Sequence, residues 1–151
     1  MDAKTLKEKF KLSDEDIKKP LPAATKWSKP FWEGTKQHKL LLKTCKDCGH
    51  IDHPPYLFCT ECQSDNSEWV EASGTATLYA FAINEVGVPF PFMPDLPYAT
   101  ALVDLKEGPR MVSTIVECDL KDIKNGMELE VVFDDVSPEC SLPKWRPVKK
   151  D

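Results

Sequence analysis

Three observations predict a mainly β protein with a metal-clipped ribbon near its middle. Two CxxC pairs, Cys45/Cys48 and Cys59/Cys62, stand with ten residues between them. From Trp69 onward, short segments alternate apolar and polar residues with a period of two, and glycine-bearing turns separate them. The chain has 151 residues, 41% of them hydrophobic, and at this length a chain buries roughly 68–70% of its unfolded surface, so the β part folds without disulfide staples. Three units are expected: a helical N-terminal arm over residues 1–38, a zinc ribbon over 39–69 and a β-barrel domain over 70–151.

The arm offers two helix starts. Ser13 is placed to cap a turn, with Asp16 in the position of a capping-box acid, but Pro20 and Pro22 stop anything begun there within about two turns. Ser28 opens the second start, with Pro30 in the first turn, and KPFWEGTKQHK then forms a short helix that turns Phe31 and Trp32 towards the body. KLLLKT, ending at Thr44, reads as a strand leading into Cys45.

WVEASGTATLYAFAINEV, residues 69–86, suits one long strand or two joined through a bulge at Gly74. In it Thr75, Thr77, Tyr79, Phe81 and Ile83 alternate with Ala76, Leu78, Ala80 and Ala82. YATALVDLKEGPRMVSTIVECDL gives a strand, a tight turn at Lys106, Glu107 and Gly108, and a second strand that includes Cys118. DIKNGM is a helical turn or loop, ELEVVFDDV is a strand, and LPKWRPV is a short closing strand with its prolines at an edge. About five strands favour a small closed barrel of the OB type over a sandwich, which needs about seven.

In the clip, Cys45, Cys48, Cys59 and Cys62 can offer four thiolates to one tetrahedral ion. Four ligands leave no open position, so the expected role is structural: one zinc ion that supplies folding free energy, with an iron site of rubredoxin type open to the same ligands. Gly49 follows the first pair, as a knuckle turn prefers, whereas Gln63 stands where the second would also favour glycine. His50 and His53 lie inside the loop and could replace a cysteine. Cys118 reads as a small buried hydrophobe, and Cys140 lies in a loop beside Pro138 and Pro143.

Net charge is −5 overall, but +6 up to Lys46 and −11 from Asp47 onward. An acidic barrel repels phosphates, which argues against an OB-type nucleic-acid binder. The β region has no histidine and no phosphate-cradling glycine pattern, which argues against a stand-alone enzyme. Without a signal-like segment, or the ~20 apolar residues a membrane span needs, the chain is expected to be soluble and cytoplasmic.

VGVPFPFMPDLPY, residues 86–98, strings Phe90, Phe92 and Met93 between prolines that would hold it extended. It reads either as a loop folded over the barrel mouth or as an apolar tongue for a partner, with Phe31 and Trp32 on the same duty. Lys36, Lys39 and Lys43 near the clip read as surface lysines.

The order of these motifs is more informative than any one of them. FWEG, LLLKTCKDCG, Pro54-Pro55, CTEC, Trp69, SGTATLYAF, a proline-rich loop, PYATALVDLKEGPR, NGMELEVVF and LPKWRP together resemble the family of a rubredoxin-like zinc ribbon joined to an OB fold, known as domain of unknown function thirty-five. The resemblance covers roughly residues 28–148. It implies a non-catalytic partner of thiolases and other acyl-CoA enzymes, in which the partner supplies the nucleophilic cysteine and CoA or acyl-CoA lies at the shared interface, with Lys36, Lys39 and Lys43 as candidate contacts for the CoA phosphates. Within the family the chain looks most like subunits that accompany thiolases of aromatic-acid degradation. Two departures stand out: Tyr56 where the family often has a basic residue, and Thr60 where it often has proline inside the second CxxC.

Overall fold

The computed structural model describes residues 1–149; the last two residues of the expected 70–151 unit lie outside them. The chain begins with α1 (Ala3–Phe10), whose N-cap Asp2 accepts the Thr5 backbone N–H at 2.9 Å and whose end is set by Lys11 in the left-handed region at φ 54°. This helix lies ahead of the expected Ser13 start. There the capping-box bonds do form, Ser13 N–H to Asp16 Oδ2 at 2.8 Å and Asp16 N–H to Ser13 Oγ at 3.3 Å, but they enclose only a 3-10 turn, Glu15–Ile17. Pro20 and Pro22 leave no room for more. α2 (Lys29–Lys36) follows, with Pro30 in its first turn.

β1 (Leu41–Cys45) pairs antiparallel with β2 (Ile51–Asp52) on one side and β3 (Ser67–Glu71) on the other, making the ribbon. α2 sits close above it: a methyl group on Gly34 would meet Leu41 Cγ at 2.7 Å and the Lys39 carbonyl at 3.1 Å, so only glycine permits this approach.

The barrel is built from β4 (Thr75–Asn84), β5 (Tyr98–Leu105), β6 (Arg110–Ile115), β7 (Glu128–Ser137) and β8 (Cys140–Pro147), closed in the order β4-β5-β6-β8-β7. The expected bulge at Gly74 is instead a break between two sheets. Gly74, at φ +75°, ends the ribbon's path and its carbonyl takes the Val131 N–H at 2.8 Å, so β3 and β4 are separate strands. The register shift falls five residues on, between Leu78 and Ala80; Ala76 and Leu78 point inwards before it and Phe81 packs against the core after it. β8 is longer than expected and is not an edge: it pairs antiparallel with β7 and meets β6 in parallel at Ile115 and Trp145, which closes the barrel. Cys118 lies in the loop after β6 rather than in a strand, and Cys140 opens β8 rather than sitting in a loop.

One core serves both modules. Leu78, Val103, Leu129 and Trp145 fill the barrel, and Phe31 of α2 with Leu40 and Leu42 of the ribbon belong to the same buried cluster. Alternation along β5, where every second side chain of YATALVDL is buried, matches the pleat.

Candidate functional site

The two knuckles of the clip are built alike. Cys45 N–H donates to the His50 carbonyl at 2.8 Å and Gly49 N–H to the Cys45 carbonyl at 2.9 Å; in the second knuckle, Cys59 N–H donates to the Ser64 carbonyl at 2.8 Å and Gln63 N–H to the Cys59 carbonyl at 3.0 Å. Gly49 stands at φ 76° and Gln63, its counterpart, at φ 62°. A non-glycine residue there carries strain of roughly 1 kcal/mol, partly offset by glycine's greater unfolded-state freedom. Gln63→Gly is therefore expected to stabilise the protein by about 0.5 kcal/mol, read as a higher midpoint in denaturant. A lower midpoint would mean that the Gln63 side-chain bond to the Thr60 carbonyl, 3.4 Å long, outweighs the strain.

The four sulfurs lie within 4.8 Å of one another, with Cys45 to Cys62 and Cys48 to Cys59 each at 3.6 Å. A tetrahedral ion with ~2.3 Å bonds to sulfur needs edges of about 3.8 Å, so this donor set fits one zinc ion. The Cys48 backbone N–H favours the Cys45 thiolate and lowers its pKa to about 7. Cys45 and Cys59 are buried, whereas Cys48 and Cys62 face outwards.

Neither histidine of the loop joins the set. His50 Nε2 sits 3.2 Å from Thr60 Oγ1 and 3.5 Å from the buried Asp52 carboxylate, to which the Thr60 hydroxyl donates at 2.5 Å. The residue that replaces a common proline thus ties the two halves of the clip together. His53 turns the other way and packs against Phe31, with ring centroids 5.5 Å apart. Cys118 and Cys140 are half-buried, and burial pushes both thiols up, away from the thiolate a nucleophile needs.

The three lysines have separate surroundings. Lys36 is exposed in the last turn of α2, and Lys39 pairs with Glu71 at 3.4 Å. Lys43 is buried, and its ammonium donates to the carbonyls of Tyr56 at 2.5 Å and Leu57 at 2.9 Å. Its charge is spent inside the fold, which corrects its expected role as a CoA contact. Phe31 is likewise enclosed in the core, while Trp32 is half-buried and meets it edge-on at 5.0 Å.

The proline-rich segment is not extended. Phe90–Asp95 coils into 3-10 turns, closed by Phe92 N–H to the Pro89 carbonyl at 2.9 Å. The N-terminal arm lies against it: the Phe10 and Phe90 rings meet at 5.5 Å, and Lys19 pairs with Asp95 at 2.6 Å. Met93 and Leu6 line a cavity of about 410 Å³ between the two, while Phe92 points into a much larger groove.

That groove, about 1130 Å³, runs between the arm, α2, the clip loop and the barrel face of β5 and β6. Trp27, Phe31, Trp32, Tyr98 and Val112 are among its walls. No motif in the sequence announces it, because its lining comes from segments far apart in the chain.

Comparison with known proteins places residues 32–68 in the family described as "ChsH2, rubredoxin-like zinc ribbon domain" and residues 69–134 in "ChsH2, C-terminal OB-fold domain". A DUF35 domain-containing scaffold protein of Methanocaldococcus jannaschii is 32% identical over 104 residues, which is 68% of this chain and 73% of that protein. A probable enoyl-CoA hydratase alpha subunit of Thermomonospora curvata is 33% identical over 129 residues, 85% of this chain. The chain spans only 40% of that subunit's length. Among solved structures, a chain of the Ltp2-ChsH2(DUF35) aldolase superposes with a TM-score of 0.76 at 32% identity, covering 83% of this chain and 98% of that one.

Proposed function

Since the chain belongs to the DUF35 family of ChsH2-type zinc-ribbon and OB-fold proteins, we propose that it is a non-catalytic accessory subunit of an acyl-CoA enzyme complex. The carrying observation is the superposition on a DUF35 chain of an aldolase assembly over 98% of that chain's length, which makes hetero-oligomeric assembly the simplest use of the same body. The finer reading has a thiolase-type partner that performs the carbon–carbon cleavage with its own cysteine. Within that reading the favoured assembly is a thiolase of anaerobic aromatic degradation acting on benzoylsuccinyl-CoA, as the sequence resemblance implies. Zinc holds the ribbon in this scheme, and CoA sits at the interface between subunits, with exposed Lys36 placed to approach its phosphates and Lys39, paired with Glu71, beside it.

Partner contact falls to Trp32, Phe90, Phe92 and Met93, the first at the groove and the others on the 3-10 segment. The test is co-expression with the thiolase-type subunit, followed by co-elution and metal analysis. Phe90→Ala with Phe92→Ala is expected to weaken the complex at least about tenfold, as loss of central aromatic contacts does, while one metal per chain is retained. Unchanged co-elution would count against this surface.

A further inference from the structure

We propose that the 3-10 segment Phe90–Asp95 and its flank are the seat for a basic amphipathic helix of the partner subunit, and that α1 occupies this seat as an intramolecular stand-in that the partner displaces. The proposal rests on the accessory-subunit reading and adds to it the kind of partner element and a means of regulation. Its own support is the way the arm is seated.

α1 grips the segment through few groups. Leu6 is its one fully buried side chain. The Phe10 ring meets Phe90 at 5.5 Å yet stays 43% exposed. Beyond the helix Lys19 pairs with Asp95 at 2.6 Å, but both side chains are nearly half exposed, so the pair holds weakly. A helix of eight residues is well under the ~12–15 that persist alone in water, so α1 owes its form to the seat. Residues 18–27, KKPLPAATKW, lead from the arm towards α2 and are all exposed. Extended at ~3.3 Å per residue, such a linker lets α1 leave the seat while α2 and the ribbon stay in place.

The fit beneath the helix is loose. Protein interiors leave few voids larger than a water molecule, yet a cavity of about 410 Å³ lies here, bounded by Met1, Leu6, Glu85, Met93, Leu96 and Pro97. Two of these are methionines, which repack readily around a different occupant.

The chemistry of the seat specifies that occupant. Phe90, Met93 and Leu96 make it apolar, and Glu85 and Asp95 add two carboxylates. α1 answers with Leu6 and Phe10 at i and i+4 on one face, among Lys4, Lys7, Lys9 and Lys11. A partner helix with the same pattern of apolar and basic residues docks in the same way.

The experiment uses the full chain, a fluorescein-labelled peptide of residues 1–19, and the thiolase-type subunit. Leu6→Asp with Phe10→Asp releases the arm. By fluorescence anisotropy the released chain should bind the peptide at least about tenfold more tightly than the unmodified chain, where the tethered arm competes at roughly millimolar effective concentration. Lys19→Glu, an exposed change that sets a second carboxylate beside Asp95, should move the affinity the same way by about twofold. Adding Met93→Asp to the released chain should abolish peptide binding, and so should Leu6→Asp in the peptide. The released chain should also hold the thiolase-type subunit at least about tenfold more tightly, because its seat is already clear.

Equal peptide affinities for the released and unmodified chains, or peptide binding that survives Met93→Asp, would overturn the proposal. Loss of zinc and of a cooperative melt on release would overturn it too, since the arm would then be part of the body. A partner held equally by both chains would overturn the displacement and leave the accessory-subunit reading standing, whereas a partner held by neither would sink that reading and the proposal with it.

Discussion

Cys45→Ser is expected to lose metal and solubility together. In isolated finger peptides a four-ligand zinc site contributes on the order of 10–16 kcal/mol, while a domain's whole stability is about 5–15 kcal/mol. Cys45 is buried and stands at the end of β1, whose Leu42 lies in the common core. Its loss therefore removes a ligand and loosens a core strand at once. A strong chelator should have the same effect on the unmodified protein, and elemental analysis before treatment should find one zinc per chain; a red, iron-loaded protein would decide for the rubredoxin alternative. A metal-free variant with a normal spectrum and a cooperative melt would refute the structural role.

Lys43→Ala is expected to cost about 3 kcal/mol, the second largest effect. Two charge-assisted bonds are lost, each typically worth about 1.5–3 kcal/mol, and the carbonyls of Tyr56 and Leu57 are left to find water. These carbonyls belong to a loop whose side chains Tyr56, Leu57 and Phe58 stay about half exposed, so little else holds it. Lys43→Met should restore the packing of the aliphatic stem but not the bonds, and so recover only part of the loss. The readout is denaturant unfolding with zinc content measured in parallel, since no ligand is altered. A cost under about 0.5 kcal/mol, in the range of an ordinary surface change, would show that the clamp does not hold the loop.

Much of this was legible in the sequence because the physics involved is local. CxxC spacing dictates the knuckle, and the strict alternation of YATALVDL dictates one buried face for β5. Where the reading failed, the deciding contact was distant. α1 buries one side chain fully, Leu6, too few for a helical period to stand out. The proline segment misled because a fixed φ near −65° suits a 3-10 turn as well as an extended chain; the arm packed on Phe90 and Asp95 accompanies the coiled form. Within the candidate site, the cysteines could be read directly. The burial of Lys43 could not, since nothing near it in sequence betrays the carbonyls it meets 13 and 14 residues away. His53 reads in the sequence only as a spare ligand, and the ring it packs against, Phe31, lies 22 positions earlier.

β1 carries Cys45 at one end and Leu42 three residues before it, so one five-residue strand is shared by the metal and the hydrophobic core. The two are therefore linked in the thermodynamic sense: whatever tightens the core around Leu42 must raise zinc affinity by the same factor by which zinc tightens the core. A partner or ligand bound against the barrel, far from any sulfur, would announce itself as slower loss of metal to a chelator.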